Sequence, residues 1–185
     1  MEALLVSAGV VALAEIGDKT QLLALLLATR FRKPTPIILG ILVATLANHA
    51  FAGAVGSWLT QWVGAETMRW ILGLSFLAMG AWTLIPDSPP DESASPPRYG
   101  VFLTTAAAFF LVEMGDKTQI ATVALAAQFH SLVWVVLGTT IGMMLANVPV
   151  VYLGEALIRR VPMKWVRVIA ASSFVALGIY VLVAR

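Results

Sequence analysis

The chain has 185 residues, of which 59% are hydrophobic and only 12% charged, and its mean hydropathy is +0.88; soluble domains carry about 25% charged residues, so the composition excludes a water-soluble globular protein and predicts an integral membrane protein in a lipid bilayer. The net charge is only +2, and most Lys and Arg fall in short connecting segments, so no nucleic-acid partner is expected and the basic residues report topology instead. Cysteine is absent, which excludes disulfides, thiolate metal sites and cysteine nucleophiles.

The first residues, Met1-Glu2-Ala3, lack the positive segment that opens a signal peptide, so the first apolar stretch reads as a mature helix. With about 20 apolar residues per membrane crossing, six spanning helices are predicted. They cover roughly 4–28, 36–58, 68–85, 99–127, 132–158 and 165–184. The basic stretch Arg30-Phe31-Arg32-Lys33-Pro34 closes the first. Between the third and fourth, Pro86 to Arg98 contains five prolines and several acids, which rules out a continuous helix and predicts a solvated tether.

The two halves repeat. An offset of 98 residues pairs Glu15 with Glu113, Phe31 with Phe129, Gly40 with Gly138, Gly56 with Gly154, Arg69 with Arg167, Phe76 with Phe174 and Gly80 with Gly178. Leu46-Ala47-Asn48 matches Leu145-Ala146-Asn147 with a slip of one residue. Three spans per repeat is an odd number, so the halves must face opposite ways. The predicted fold is therefore all-α, with six transmembrane helices as two inverted three-helix repeats: residues 1–86, an acidic Pro-rich cytoplasmic linker over 87–98, and residues 99–185. Placing both termini outside puts Arg30, Arg32, Lys33, Arg98, Arg159, Arg160 and Lys164 inside, which satisfies the positive-inside rule.

Within the first and fourth predicted helices lie Glu15-Ile16-Gly17-Asp18-Lys19-Thr20-Gln21 and Glu113-Met114-Gly115-Asp116-Lys117-Thr118-Gln119. A charge near the centre of a spanning helix costs roughly 2.5 to 3.5 kcal/mol on insertion scales, so such residues point to function. On a continuous helix, Glu15, Asp18 and Gln21 would share one stripe, as would Glu113, Asp116 and Gln119. Converging at the midplane, these form an oxygen-rich metal site suited to hard divalent cations such as Mn2+ and Ca2+. Gly17 and Gly115 either pack helices closely or unwind the chain and free carbonyl oxygens.

Lys19 and Lys117, each four residues after a Glu, either form intrahelical ion pairs or turn toward other acceptors. Two lysines cannot neutralise four carboxylates. Two negative charges would remain, a match for one divalent ion or two protons. A buried carboxylate poised between desolvation and a neighbouring cation can trade a proton for a metal ion near neutral pH, which makes proton-coupled exchange an economical mechanism. Thr20, Thr118, Asn48 and Asn147 either supply neutral oxygens or join helices by hydrogen bonds. Pro149 frees the carbonyl of Leu145. His49 is either a proton relay or a packed core residue. Glu155 is expected to pair with Arg159 at the interface; Trp58, Trp62, Trp134 and Trp165 read as interfacial anchors, and Gly138 with Gly142 as a helix-packing pair. No nucleotide-binding loop and no nucleophile with its base is visible, so an enzyme is not expected, and energy would come from ion gradients.

At Glu15-Ile16-Gly17-Asp18-Lys19-Thr20 and Glu113-Met114-Gly115-Asp116-Lys117-Thr118 the chain resembles the family of Golgi and bacterial cation/proton exchangers defined by two Glu-x-Gly-Asp-Lys/Arg-Ser/Thr motifs. That family includes a Golgi manganese and calcium transporter of eukaryotes and a manganese exporter of cyanobacteria. Both motifs match in full, and the likeness covers essentially all six predicted helices. It implies export of Mn2+, Ca2+ or both in exchange for H+, with Glu15, Asp18, Glu113 and Asp116 as the acidic ion site and no resident cofactor. The short N-terminus resembles the compact prokaryotic members and implies a plasma membrane. Two other functions use the same residues: a passive divalent-cation channel, which would move metal without proton counterflow, and a nontransporting scaffold, in which the charges would be structural bridges.

Overall fold

The computed structural model describes residues 1–85, 100–154 and 162–183. The linker over 87–98, the start of the fourth predicted span and the Glu155–Arg159 pair lie outside these. Among the described residues there are helices and turns but no strand. The helices are α1 (Glu2–Glu15), α2 (Lys19–Phe31), α3 (Pro34–Trp62), α4 (Ala65–Thr83), α5 (Gly100–Glu113), α6 (Lys117–Phe129), α7 (Leu132–Leu153) and α8 (Met163–Val183).

Two expectations are corrected here. The stretches over 4–28 and 99–127, predicted as single helices, are each broken in two at the charged motif. Gly17 and Gly115 adopt φ of +83° and +79°, a left-handed conformation that only glycine enters without strain, and the helical ladder stops there. Arg32 and His130, at equivalent places in the two halves, end α2 and α6 with φ of 52° and 47°. Pro34 then opens α3 at a position where its missing N–H costs nothing.

The helices α3, α7 and α8 are each long and apolar enough to cross a membrane; α5 is a shorter apolar helix. On α7, Val133, Leu137, Ile141 and Leu145 form an outward stripe at every fourth residue, while Val136, Thr139, Thr140, Met143 and Asn147 are buried. Apolar outside and small or polar inside is the pattern of helices solvated by lipid. Trp58, Trp62, Trp134 and Trp165 are exposed near helix ends.

Packing joins the halves crosswise. The first-half α1 lies along α7, and the second-half α5 along α3. Glycines make the close approaches possible, because a Cβ at Gly138 would meet the Leu4 carbonyl oxygen at 2.5 Å and Ser7 Cβ at 2.9 Å. The equivalent Gly40 faces the Phe102 carbonyl oxygen at 2.9 Å and Thr105 Cβ at 2.8 Å, the same two partners displaced by one repeat. The equivalent helices α4 and α8 pack on each other antiparallel, Gly80 against Val175 and Gly178 against Leu77. Around this frame, α4 also touches α6, and α8 touches α1. The consequence is that both broken helices are gripped by the opposite half, with Glu15, Asp18, Glu113 and Asp116 at their breaks turned into the interior.

Candidate metal centre

Each break is stabilised by its own motif in the same way. The Asp18 N–H donates to the Glu15 carbonyl at 3.0 Å, and the Asp116 N–H to the Glu113 carbonyl at 3.0 Å, closing a tight turn. Asp18 and Asp116 are the N-caps of α2 and α6. Three residues on, the Gln21 side-chain oxygen accepts from the Gly17 N–H at 2.9 Å, and Gln119 Oε1 accepts from the Gly115 N–H at 2.6 Å. A Gln three residues after the N-cap that reaches back to a backbone N–H is one half of a capping box, displaced here by one residue; the Asp18 side chain accepts from the Lys19 N–H, whereas Asp116 makes no side-chain cap bond. Gln21 and Gln119 therefore hold the turn. Gln21 also ties the halves together, donating from Nε2 to the Ala146 carbonyl at 2.9 Å.

The turn redirects the side chains, so Glu15, Asp18 and Gln21 do not line a stripe of one helix. Glu15, Glu113 and Asp116 converge instead, each offering an oxygen within 4.8 Å of the others. All three are buried: 0%, 0% and 2% exposed. Thr20 Oγ1 donates to Glu15 Oε2 at 2.5 Å, and Thr118 Oγ1 to Glu113 Oε2 at 3.2 Å. The other oxygens, Glu15 Oε1 and Glu113 Oε1, are buried with no hydrogen-bond partner. Buried acceptors of this kind are rare and call for an occupant such as a proton or an ion.

Of the two alternatives for the lysines, the intrahelical Glu15–Lys19 and Glu113–Lys117 pairs do not form. Each lysine crosses to the aspartate of the other motif: Lys19 Nζ lies 2.8 Å from Asp116 Oδ1, and Lys117 Nζ lies 3.1 Å from Asp18 Oδ1. The cause is the break, which starts a new helix between Glu and Lys and so abolishes their four-residue helical relation. Asp18 is drawn into its cross-pair, while Asp116 serves both a cross-pair and the carboxylate cluster.

The remaining predicted residues take varied places. Asn48 Nδ2 donates to the Phe110 carbonyl at 3.1 Å, joining α3 to α5. Asn147 donates within its own helix to the Met143 carbonyl at 3.1 Å, leaving its buried Oδ1 unpartnered. His49 is fully buried, with Nε2 3.9 Å from Glu113 Oε2. One residue had no sequence signal at all: Met163, at the start of α8, comes within 2.6 Å of the position a Gly17 Cβ would occupy, whereas Gly115 faces open space.

Buried carboxylates gathered at helix breaks inside an apolar bundle define a membrane protein that handles cations, because neither lipid nor a dry core tolerates uncompensated acids. Comparison with known proteins makes the class specific. The chain belongs to the family described as divalent cation/proton antiporter GDT1, whose model matches residues 3–91 and 101–185. It is 48% identical to a Vibrio cholerae protein named "Putative manganese exporter", over 97% of this chain and 90% of that one. No solved structure matches. The protein is thus a membrane cation transporter and not an enzyme.

Proposed function

We propose that this protein is a secondary antiporter that exports Mn2+, with Ca2+ as a further substrate, in exchange for protons. The observation that carries the reading is the cluster of Glu15, Glu113 and Asp116, contributed by both broken helices, with two buried carboxylate oxygens left for an occupant. Two lysines against the four motif carboxylates leave two negative charges to be balanced. In an interior this dry, the balance must be kept throughout the cycle, by a divalent ion in one step and by protons in another. The name of the Vibrio relative and the family description support metal and proton as the two cargoes.

The architecture we infer is six spans in two inverted repeats, with α1 and α2 together making one span and α5 and α6 another. The antiparallel pairing of the equivalent helices α4 and α8 supports it, as do the matching contacts of Gly40 and Gly138. Both termini are external, which puts Arg30, Arg32 and Lys33 inside in keeping with the positive-inside rule, and the membrane is the plasma membrane of a prokaryote, a reading the Vibrio relative supports.

The test is Mn2+ uptake into proteoliposomes with and without an imposed pH gradient, with internal pH recorded and Ca2+ as competitor. Uptake accelerates with the gradient and consumes it, Ca2+ competes, and Asp116→Asn or Glu113→Gln abolishes the flux. Metal movement that ignores the gradient and moves no protons would make the same cluster a passive filter.

A further inference from the structure

His49 is placed by α3 beside Glu113, one of the three acids of the carboxylate cluster, and its surroundings do not account for it. It is 0% exposed, and neither Nδ1 nor Nε2 makes a hydrogen bond. Leaving a buried polar group unsatisfied costs about 1 to 3 kcal/mol, so a histidine there for packing alone would be a poor choice beside Leu or Met. Its Nε2 lies 3.9 Å from Glu113 Oε2, too far for a hydrogen bond. No protein group satisfies the ring, and Glu113 is one of the three acids of the cluster.

The repeat is broken at this point. Leu46-Ala47-Asn48 is followed by His49, whereas Leu145-Ala146-Asn147 is followed by Val148 and Pro149. An imidazole thus stands beside an acid of the cluster in one half only. Nitrogen discriminates among cations where carboxylates do not: Ca2+ takes six to eight oxygens, whereas first-row transition ions bind imidazole with affinity rising from Mn2+ onward.

We propose that His49 is a nitrogen ligand of the transported ion and sets the preference of the site for transition-series cations over Ca2+. This rests on the reading that Glu15, Glu113 and Asp116 hold the ion. The acids then supply charge and affinity, and the imidazole supplies selectivity. The Asn48 bond to Phe110 fixes the turn of α3 that carries His49, so the ring is held at the site by its neighbour.

The experiment uses the full chain, purified in detergent, with Mn2+ as the probe. The chain has two histidines, His49 and His130. Pulsed electron paramagnetic resonance of bound Mn2+, comparing protein grown with natural and 15N-labelled histidine, detects a directly coordinated imidazole and needs no mutation. The coupling is present in the unaltered protein and in His130→Gln, and absent in His49→Gln. In His49→Gln, Mn2+ binds about tenfold more weakly or worse, while Ca2+ affinity, read by competition, is unchanged, so the Mn2+/Ca2+ ratio falls by the same factor. Saturable Mn2+ binding that Glu113→Gln removes, but without histidine coupling, would overturn the role of His49 and leave the carboxylate site standing. Binding indifferent to Glu113→Gln would overturn the carboxylate site and this proposal with it.

Discussion

At the scale of single residues, the two aspartate–lysine crossings differ in burial although they are equivalent in sequence. Lys117 is 3% exposed in its pair with Asp18, whereas Lys19 is 26% exposed in its pair with Asp116. Removing one partner of a buried pair costs about 3 to 5 kcal/mol, and exposure discounts that figure through solvent screening. Lys117→Met therefore destabilises the protein more than Lys19→Met in thermal unfolding in detergent. Asp18→Asn combined with Lys117→Met costs less than the sum of the two single changes; additive losses would mean that the pair contributes nothing as a pair.

The glycines at the breaks are unequal in a second way. Any L-residue at their φ pays roughly 1 to 2 kcal/mol, and at Gly17 the Met163 sulfur adds a collision that Gly115 lacks. Gly17→Ala thus lowers the melting temperature more than Gly115→Ala. Adding Met163→Ala to Gly17→Ala brings the two closer together, because it removes the steric part and leaves the backbone part.

At the scale of helices, close packing through small residues replaces the hydrophobic effect that lipid does not supply. A Cβ at Gly142 would lie 2.5 Å from the Ala8 carbonyl oxygen and 2.9 Å from the Ala12 nitrogen, both rigid backbone atoms. On the exposed face of α1, Gly9 has nothing within 4 Å. Gly142→Ala forces α1 and α7 apart at a cost of about 1 to 3 kcal/mol. Gly9→Ala is neutral or stabilising by up to about 1 kcal/mol through helix propensity. Unfolding of the two variants in mixed detergent micelles separates them; equal losses would show that α1 does not pack on α7 as described. Helix ends illustrate what local chemistry can tell. Asp18-Lys19-Thr20-Gln21 and Asp116-Lys117-Thr118-Gln119 carry the spacing of a capping box, a sequence-visible sign that a helix starts there. Read against an apolar run of some twenty residues it is overridden, since a spanning helix is assumed continuous unless something breaks it.

At the scale of the whole molecule, the proposed inverted arrangement makes a prediction about sidedness. The chain contains no cysteine, so single cysteines can be introduced without background. A cysteine replacing Glu2 reacts with a membrane-impermeant maleimide applied to intact cells, and one replacing Lys33 reacts only after permeabilisation. Labelling of both from the same side would invalidate the proposed path of the first span.

Membrane residence, the offset between the two motifs and the presence of acids within apolar stretches were legible because each is a one-dimensional property: a sum of side-chain transfer energies, an offset, a spacing. Even the tryptophans near the ends of α3, α7 and α8 could be placed from the ends of apolar stretches. What stayed hidden depended on direction in space. Whether Gly17 packs or unwinds depends on what surrounds it, and the partners of Lys19 and Lys117 lie nearly a hundred residues away. The crosswise packing of α1 on α7 and of α5 on α3 sets the two breaks beside one another, and that alone turns intrahelical neighbours into partners across the halves. Sequence determined which charges must be buried; tertiary structure decided which would face each other, because the pairing energy of a buried charge depends on distance and only the fold sets distance.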